Sequence, residues 1–363
     1  MLGFDKKKVI VIQGGMGAGV SGAHLAGAVA RCGGVGVVSS VGLDRIIGHR
    51  IGHEINQFEA VKMEVIEAIR LSEGSGAIGI NFMAKLKNSY EPSIRGAIAA
   101  GEETGTTVIL FVGAGLPLDL PKIVEDAPVK LVPIVSSARA LDIICRQWQK
   151  IERYGRMPDG VVLEGPLAGG HLGFKPEEVI NPEFQLEKLF GPTKEFAQKH
   201  ENFPVFVAGG IFTNEDILQW KKIGADGVQL GTRFAATHES GASKEFKDAI
   251  IAAHPNDIVI AQPGSPTGFT FRVLSPSPGY QYAQNQDRPL PEKCKGYILS
   301  AEGCLAMKSR NYFCICKALL KAIDCNDDPS DLAIYTVGTN AWRINKILSA
   351  KDLMDELITG KVH

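Results

Sequence analysis

The sequence predicts an α/β fold, a single closed (β/α)8 barrel with a C-terminal extension packed on it. Three observations carry this expectation. Short β-branched runs alternate with stretches of helical spacing, the pattern of parallel βαβ units. Eight such units fall within about 240 residues, the size of one closed barrel. The unusual residues stand directly after the strands. A barrel gathers eight strand ends onto one rim, whereas an open sheet concentrates its ligand contacts at one switch point.

The first run, 9–12, follows Lys6-Lys7-Lys8 and meets Gly14-Gly15-Met16. It is far too short for the apolar core of an export signal, so it reads as a strand of a soluble cytoplasmic protein. The next runs are 35–39 ending at Ser40, 78–82 ending near Met83, and 108–112 ending at Gly113-Ala114-Gly115. Then come 130–135 before Ser136-Ser137, 161–164 before the stretch 165–171, 205–208 before Gly209-Gly210, and 227–230 before Gly231-Thr232. Helices are expected over 22–31, 58–71, 92–100, 138–153, 184–199 and 214–223, the last capped by Thr213 or Asn214. Beyond Ala253 the regularity stops at a run of prolines, and one more helix is expected over 313–323. We divide the chain into a barrel, 1–254, and a C-terminal lid or extension, 255–363.

Composition narrows the partners. The 39 basic and 40 acidic side chains nearly cancel, so no large field draws the surface towards nucleic acid or membrane. A small-molecule substrate is the expectation. A homodimer is compatible with the sequence, which does not set the oligomeric state. Seven cysteines, five of them after Pro291, form an odd set without an export signal, which favours thiols over a disulfide framework. Cys294, Cys304, Cys314, Cys316 and Cys325 match no familiar CxxC pair; buried free thiols are favoured over a zinc or iron–sulfur site, and no metal ligand is assigned.

Ala208-Gly209-Gly210 and Gly231-Thr232, after the last two strands, offer unshielded backbone N–H groups, and a following helix N-terminus adds partial positive charge. That suits a cofactor phosphate; relief of sterics in tight turns is the plainer alternative. His171 sits among glycines after the sixth strand, where an imidazole titrating near neutral pH can bind or deprotonate a substrate. Arg233 could reach a phosphate or pair with a carboxylate. Gly15 and Met16 allow a planar ring to approach, and the amide of Asn81 suits the mixed edge of a flavin or simply forms a turn. The stretch 17–22 spells GxGxxG, but no acidic residue follows in the βαβ place that a dinucleotide site needs.

The motifs QGGMG at 13–17, INFM at 80–83, VPIVSS at 132–137, EGPLAGGHLGF at 164–174, VAGGI at 207–211 and GADGVQLGTRF at 224–234 together resemble the nitronate monooxygenase family. That family, formerly called 2-nitropropane dioxygenases, also contains the FMN-dependent enoyl-ACP reductases. The resemblance implies a TIM barrel with noncovalent FMN and makes His171 the catalytic residue. It places Gly209, Gly210, Gly231 and Thr232 at the flavin phosphate and Met16 and Asn81 at the isoalloxazine; Gly15, Gly170 and Ala208 are taken with them as cofactor-binding. The implied reaction is oxidation of an alkyl nitronate by O2 to a carbonyl compound and nitrite, with His171 hydrogen-bonding or deprotonating the substrate. The alternative is reduction of an enoyl thioester by NAD(P)H through the flavin. GTNAWR at 338–343 resembles the tail of a cysteine-bearing subgroup, from which this chain departs at Ser309 and in the loop 264–269.

Overall fold

The computed structural model describes residues 10–291 and 304–362. The expected strand start at Val9, the lysines 6–8, Cys294 and His363 lie outside the described residues. Eight strands close into a barrel: β1 (Ile10–Gln13), β2 (Val35–Ser39), β3 (Ala77–Met83), β4 (Ile109–Gly113), β5 (Lys130–Val135), β6 (Val161–Glu164), then, past a short rim strand β7 (Gly170–Leu172), β8 (Val205–Ala208) and β9 (Gly227–Leu230). All neighbours pair in parallel, and β9 closes on β1 with Ile10 opposite Gly227. The architecture is the predicted TIM barrel.

Strand periodicity explains what the barrel encloses. Side chains alternate inward and outward, so Ile12, Val37, Phe111, Val132, Val162 and Phe206 fill the interior as one apolar cluster. Two residues further along their strands, Ile134, Glu164 and Ala208 follow the same direction and reach the C-terminal rim. The outward residues pack against helices in the larger core, with Leu110, Leu131, Leu163 and Val207 wholly buried.

The outer layer holds α1 (Ala23–Arg31), α2 (Leu43–Ile51), α3 (Gln57–Leu71), α4 (Lys87–Thr104), α5 (Leu120–Val124), α6 (Ala138–Gln149), α7 (Pro176–Val179), α8 (Leu186–Lys199) and α9 (Asn214–Lys222). Five differ from expectation, the short α5 and α7 being unexpected along with α2. Helix α2 was not expected; its short apolar face, Leu43, Ile46 and Ile47, gains its meaning only when buried on the barrel. Helix α4 begins five residues before Pro92, because a proline there removes one hydrogen bond while Tyr90, Ile94 and Ala97 remain buried. Helix α6 stops at Gln149, and the chain then turns through Arg153 at φ +70°.

After β9 come α10 (Thr232–Ala235), α11 (Lys244–Ile251), β10 (Ile258–Ile260), β11 (Thr270–Leu274), α12 (Pro278–Ala283), α13 (Cys316–Lys321) and α14 (Ala350–Thr359). β11 pairs antiparallel with both β10 and β7, so a strand from late in the chain is laid against the loop that follows β6. α14 packs between α1 and α9 in the outer ring. Among the described residues no helix is long and apolar enough to cross a membrane.

Candidate functional site

One cavity of about 240 Å³ opens at the C-terminal rim of the barrel. All ten residues singled out in the sequence line it: Gly15, Met16, Asn81, Gly170, His171, Ala208, Gly209, Gly210, Gly231 and Thr232. They come from the ends of β1, β3, β8 and β9, which closure of the sheet brings together, and from the rim strand β7 that follows β6.

The glycine turns form an anion cradle. Gly209 and Gly210 adopt φ of +96° and +84°, a conformation that side chains rarely take. A Cβ on Gly209 would stand 2.9 Å from the carbonyl oxygen of Gly165. Among the described residues nothing accepts a hydrogen bond from the backbone N–H groups of Gly209, Gly210 or Gly231. Unpartnered N–H groups lining a cavity suit a phosphate. The N-terminus of α9 is satisfied within its own turn. Thr213 and Asp216 build a capping box on α9, and Asp216 takes the N–H groups of Phe212 and Thr213, at 2.8 and 2.9 Å.

The tail completes the cradle, which the motifs did not announce. Asn340 Nδ2 donates to Gly210 O at 2.6 Å, and the N–H of Gly338 donates to Thr232 Oγ1 at 2.8 Å. Gly169 has no side chain because Val337 passes too close: a Cβ there would lie 2.5 Å from its carbonyl carbon. Arg233 takes the second of its two expected roles. It pairs with Glu356 of α14 at 2.9 Å, donates to Phe212 O at 3.0 Å and lies over the Phe212 ring.

His171 stands on strand β7 opposite Phe271 of β11, with their rings 4.6 Å apart. Its Nε2 lies 2.8 Å from Ser265 Oγ, which in turn lies 2.8 Å from Thr267 Oγ1. Lys85 lies nearby, donating to Thr267 O at 2.5 Å and sitting 5.0 Å from the centre of the Phe269 ring. The expectation of an imidazole titrating near neutrality is corrected here. Burial, and secondarily the charge of Lys85, push His171 down to about 4, so the ring is neutral at pH 7.

At the end of β6, burial raises the Glu164 carboxyl to about 7, against the smaller opposing pull of Arg272. Arg272, itself pushed down to about 10 by burial, donates to Pro166 O at 2.7 Å and to Ala168 O. Ser39 Oγ, buried in the cavity wall, has no hydrogen-bond partner. A cavity with open donors, a buried carboxyl and an orphaned hydroxyl fits a polar cofactor carrying a phosphate.

Two other stretches of the sequence bear on ligands. The N-terminus of α1, where a dinucleotide reading would seat a pyrophosphate, already holds a carboxylate: Glu64 accepts from the N–H of Ala23 at 2.7 Å and pairs with Arg50 at 2.8 Å. Among the described residues no group of three or more His, Cys, Asp or Glu side chains is placed to hold a metal. Cys314 is pulled down to about 6, chiefly by a hydrogen bond with Cys316, while burial and then Asp327 push Cys325 up to about 11.

Solved structures resemble this architecture over nearly its whole length. FabK from Thermotoga maritima is 21% identical, with a TM-score of 0.66, over 96% of this chain and 91% of that one. A nitroalkane oxidase from Streptomyces ansochromogenes is 18% identical, with a TM-score of 0.65, over 96% and 94% of the two chains. Among curated proteins, a probable nitronate monooxygenase of Staphylococcus saprophyticus is 26% identical over 70% of this chain and 72% of its own length. Another, from Staphylococcus haemolyticus, is 36% identical over only 28% of each. The family model for nitronate monooxygenase matches residues 1–360. The chain therefore belongs to the nitronate monooxygenase family, whose members are flavin-dependent oxidoreductases.

Proposed function

We propose that the protein binds FMN and oxidises alkyl nitronates with O2 to a carbonyl compound and nitrite. The observation that supports this most is the sharing of one cavity by His171 and the open N–H groups of the glycine turns. FMN, when bound, supplies the electron-accepting chemistry that links nitronate to O2.

In this reading Gly209, Gly210, Gly231 and Thr232 hold the phosphate, with Ala208 and Gly170 leaving room beside it. Gly15, Met16 and Asn81 border the flavin ring. Ser265 occupies one nitrogen of His171, which leaves the other for the substrate. A ring whose conjugate acid titrates at about 4 is a weak base, so its task is to hydrogen-bond a nitronate already formed rather than to deprotonate a nitroalkane. The charge of Lys85 near that ring favours an anionic substrate.

The test is oxygen uptake and nitrite release by FMN-loaded protein given ethylnitronate or propionate 3-nitronate. Turnover above the protein-free rate is expected; none, with FMN bound, overturns the reading. NADH oxidation coupled to loss of a crotonyl thioester, in place of nitronate turnover, would assign the cavity to enoyl reduction.

A further inference from the structure

Cys314 and Cys316 flank Ile315 where α13 begins, and neither lines the cavity. Ile315 adopts φ −99° and ψ −18°, which bends the backbone. Such a bend brings Cα atoms two residues apart to roughly 5.5 Å, inside the span of a disulfide. The thiols already meet, since Cys316 donates a hydrogen bond to the sulfur of Cys314. Cys314 is half-buried, within reach of a small solute, and Cys316 is buried behind it.

Attack on a peroxide needs a thiolate with room to react. The hydrogen bond from Cys316, helped by the backbone N–H groups of Lys317 and Cys316, draws Cys314 below the ordinary thiol range. Burial pushes Cys32, Cys145 and Cys325 the other way. One thiolate in contact with a second thiol is the arrangement that carries an oxidised sulfur on to a disulfide. We propose that Cys314 and Cys316 form a peroxide-reactive pair, and that their disulfide loosens the loop that holds His171. The Cys314 thiolate attacks one oxygen of hydrogen peroxide, breaking the O–O bond to give a sulfenic acid and hydroxide. The Cys316 sulfur then displaces the sulfenic hydroxyl as water and closes the S–S bond. Two thiols are oxidised, and one peroxide is reduced to two waters, the proton shed on forming the thiolate neutralising the hydroxide.

The pair sits on the support of that loop. Phe313, directly before Cys314, donates its N–H to Gly264 O at 3.2 Å, and the N–H of Gly264 donates to Asn311 O at 2.8 Å. Gly264 precedes Ser265, whose Oγ lies 2.8 Å from His171 Nε2. A disulfide that closes so small a ring shifts the backbone next to these two bonds. Leu319 of α13 lines the cavity and donates its N–H to Ile315 O at 2.8 Å, so the same shift reaches the wall from a second side. None of this depends on which cofactor or substrate fills the cavity.

Trypsin releases both cysteines in one peptide, 311–317, because Arg310 and Lys317 bound it. After treatment of the folded full-length chain with hydrogen peroxide, denaturation and alkylation, that peptide should be two hydrogens lighter and unalkylated. Dithiothreitol should restore both thiols, and Cys32, Cys145 and Cys325 should stay alkylatable throughout. Cys316→Ala should leave Cys314 as a dimedone-reactive sulfenic acid and slow its oxidation about tenfold at pH 7, the thiolate having lost its donor. Cys314→Ser should leave Cys316 alkylatable under the same peroxide. Amide hydrogen exchange over 264–269 should quicken severalfold when the wild-type chain is oxidised and not when Cys316→Ala is treated alike. A 311–317 peptide that keeps both thiols in excess peroxide overturns the proposal, as does exchange over 264–269 that is equal in the reduced and disulfide forms.

Discussion

At the scale of single residues, His171 and Glu164 illustrate how one cavity moves two ionisable groups towards their neutral forms. Replacing His171 with Ala should lower the rate on the order of 10²-fold if the ring contacts the reacting substrate, measured as kcat/KM for a nitronate. The ring stays neutral above about pH 4, so that parameter should show no inflection from His171 between pH 5 and 9. Stability carries the same information with a definite sign. His171 takes its proton at about 4 when folded and about 6.5 when unfolded. The unfolded chain therefore binds more protons between those values, and the His171 contribution to stability falls as pH drops through that window. Glu164 acts oppositely. Its folded value of about 7 exceeds the 4.5 of an exposed glutamate, so its contribution falls as pH rises from 4.5 to 7. The apo-protein with His171→Gln should lose melting temperature from pH 4.5 to 7, and the Glu164→Gln protein should gain it from 4.5 to 6.5.

At the scale of elements, strands were read more accurately than helices. Their β-branched runs carry a local signal on every residue, and β2, β5, β6, β8 and β9 have the expected bounds. Helix ends depend on contacts outside the segment, as the proline within α4 and the early stop of α6 show. Where a cap is local, the sequence narrowed it to Thr213 or Asn214, and the structure has Thr213, whose Oγ1 accepts from the N–H of Asp216 at 3.2 Å. Thr213→Ala should cost about 1 kcal/mol in urea unfolding, with m unchanged. The rim strand β7 carries no such local sign. Gly170, His171 and Leu172 become a strand only because residues 270–272 lie against them.

At the scale of the whole molecule, α14 ties the end of the chain to the cavity. Glu356 on that helix neutralises Arg233, which is only 9% exposed beside the last glycine turn. Glu356→Ala leaves that guanidinium without its carboxylate and should cost about 3 kcal/mol, read as a lowered unfolding midpoint. Loss of flavin content with it would show that the tail supports the site as well as the fold. The sequence alone determined the barrel, the ten cavity residues and the family, because strand alternation, glycine turns and motif spacing are local or repeat with a fixed period. It left two roles open for Arg233 and gave Ser265, Lys85 and Glu164 none. Those roles depend on residues separated by 94 positions for Ser265 and His171 and by 123 for Arg233 and Glu356. Tertiary structure decided them, since charge pairing and desolvation act through space and register only once the chain has closed around the cavity.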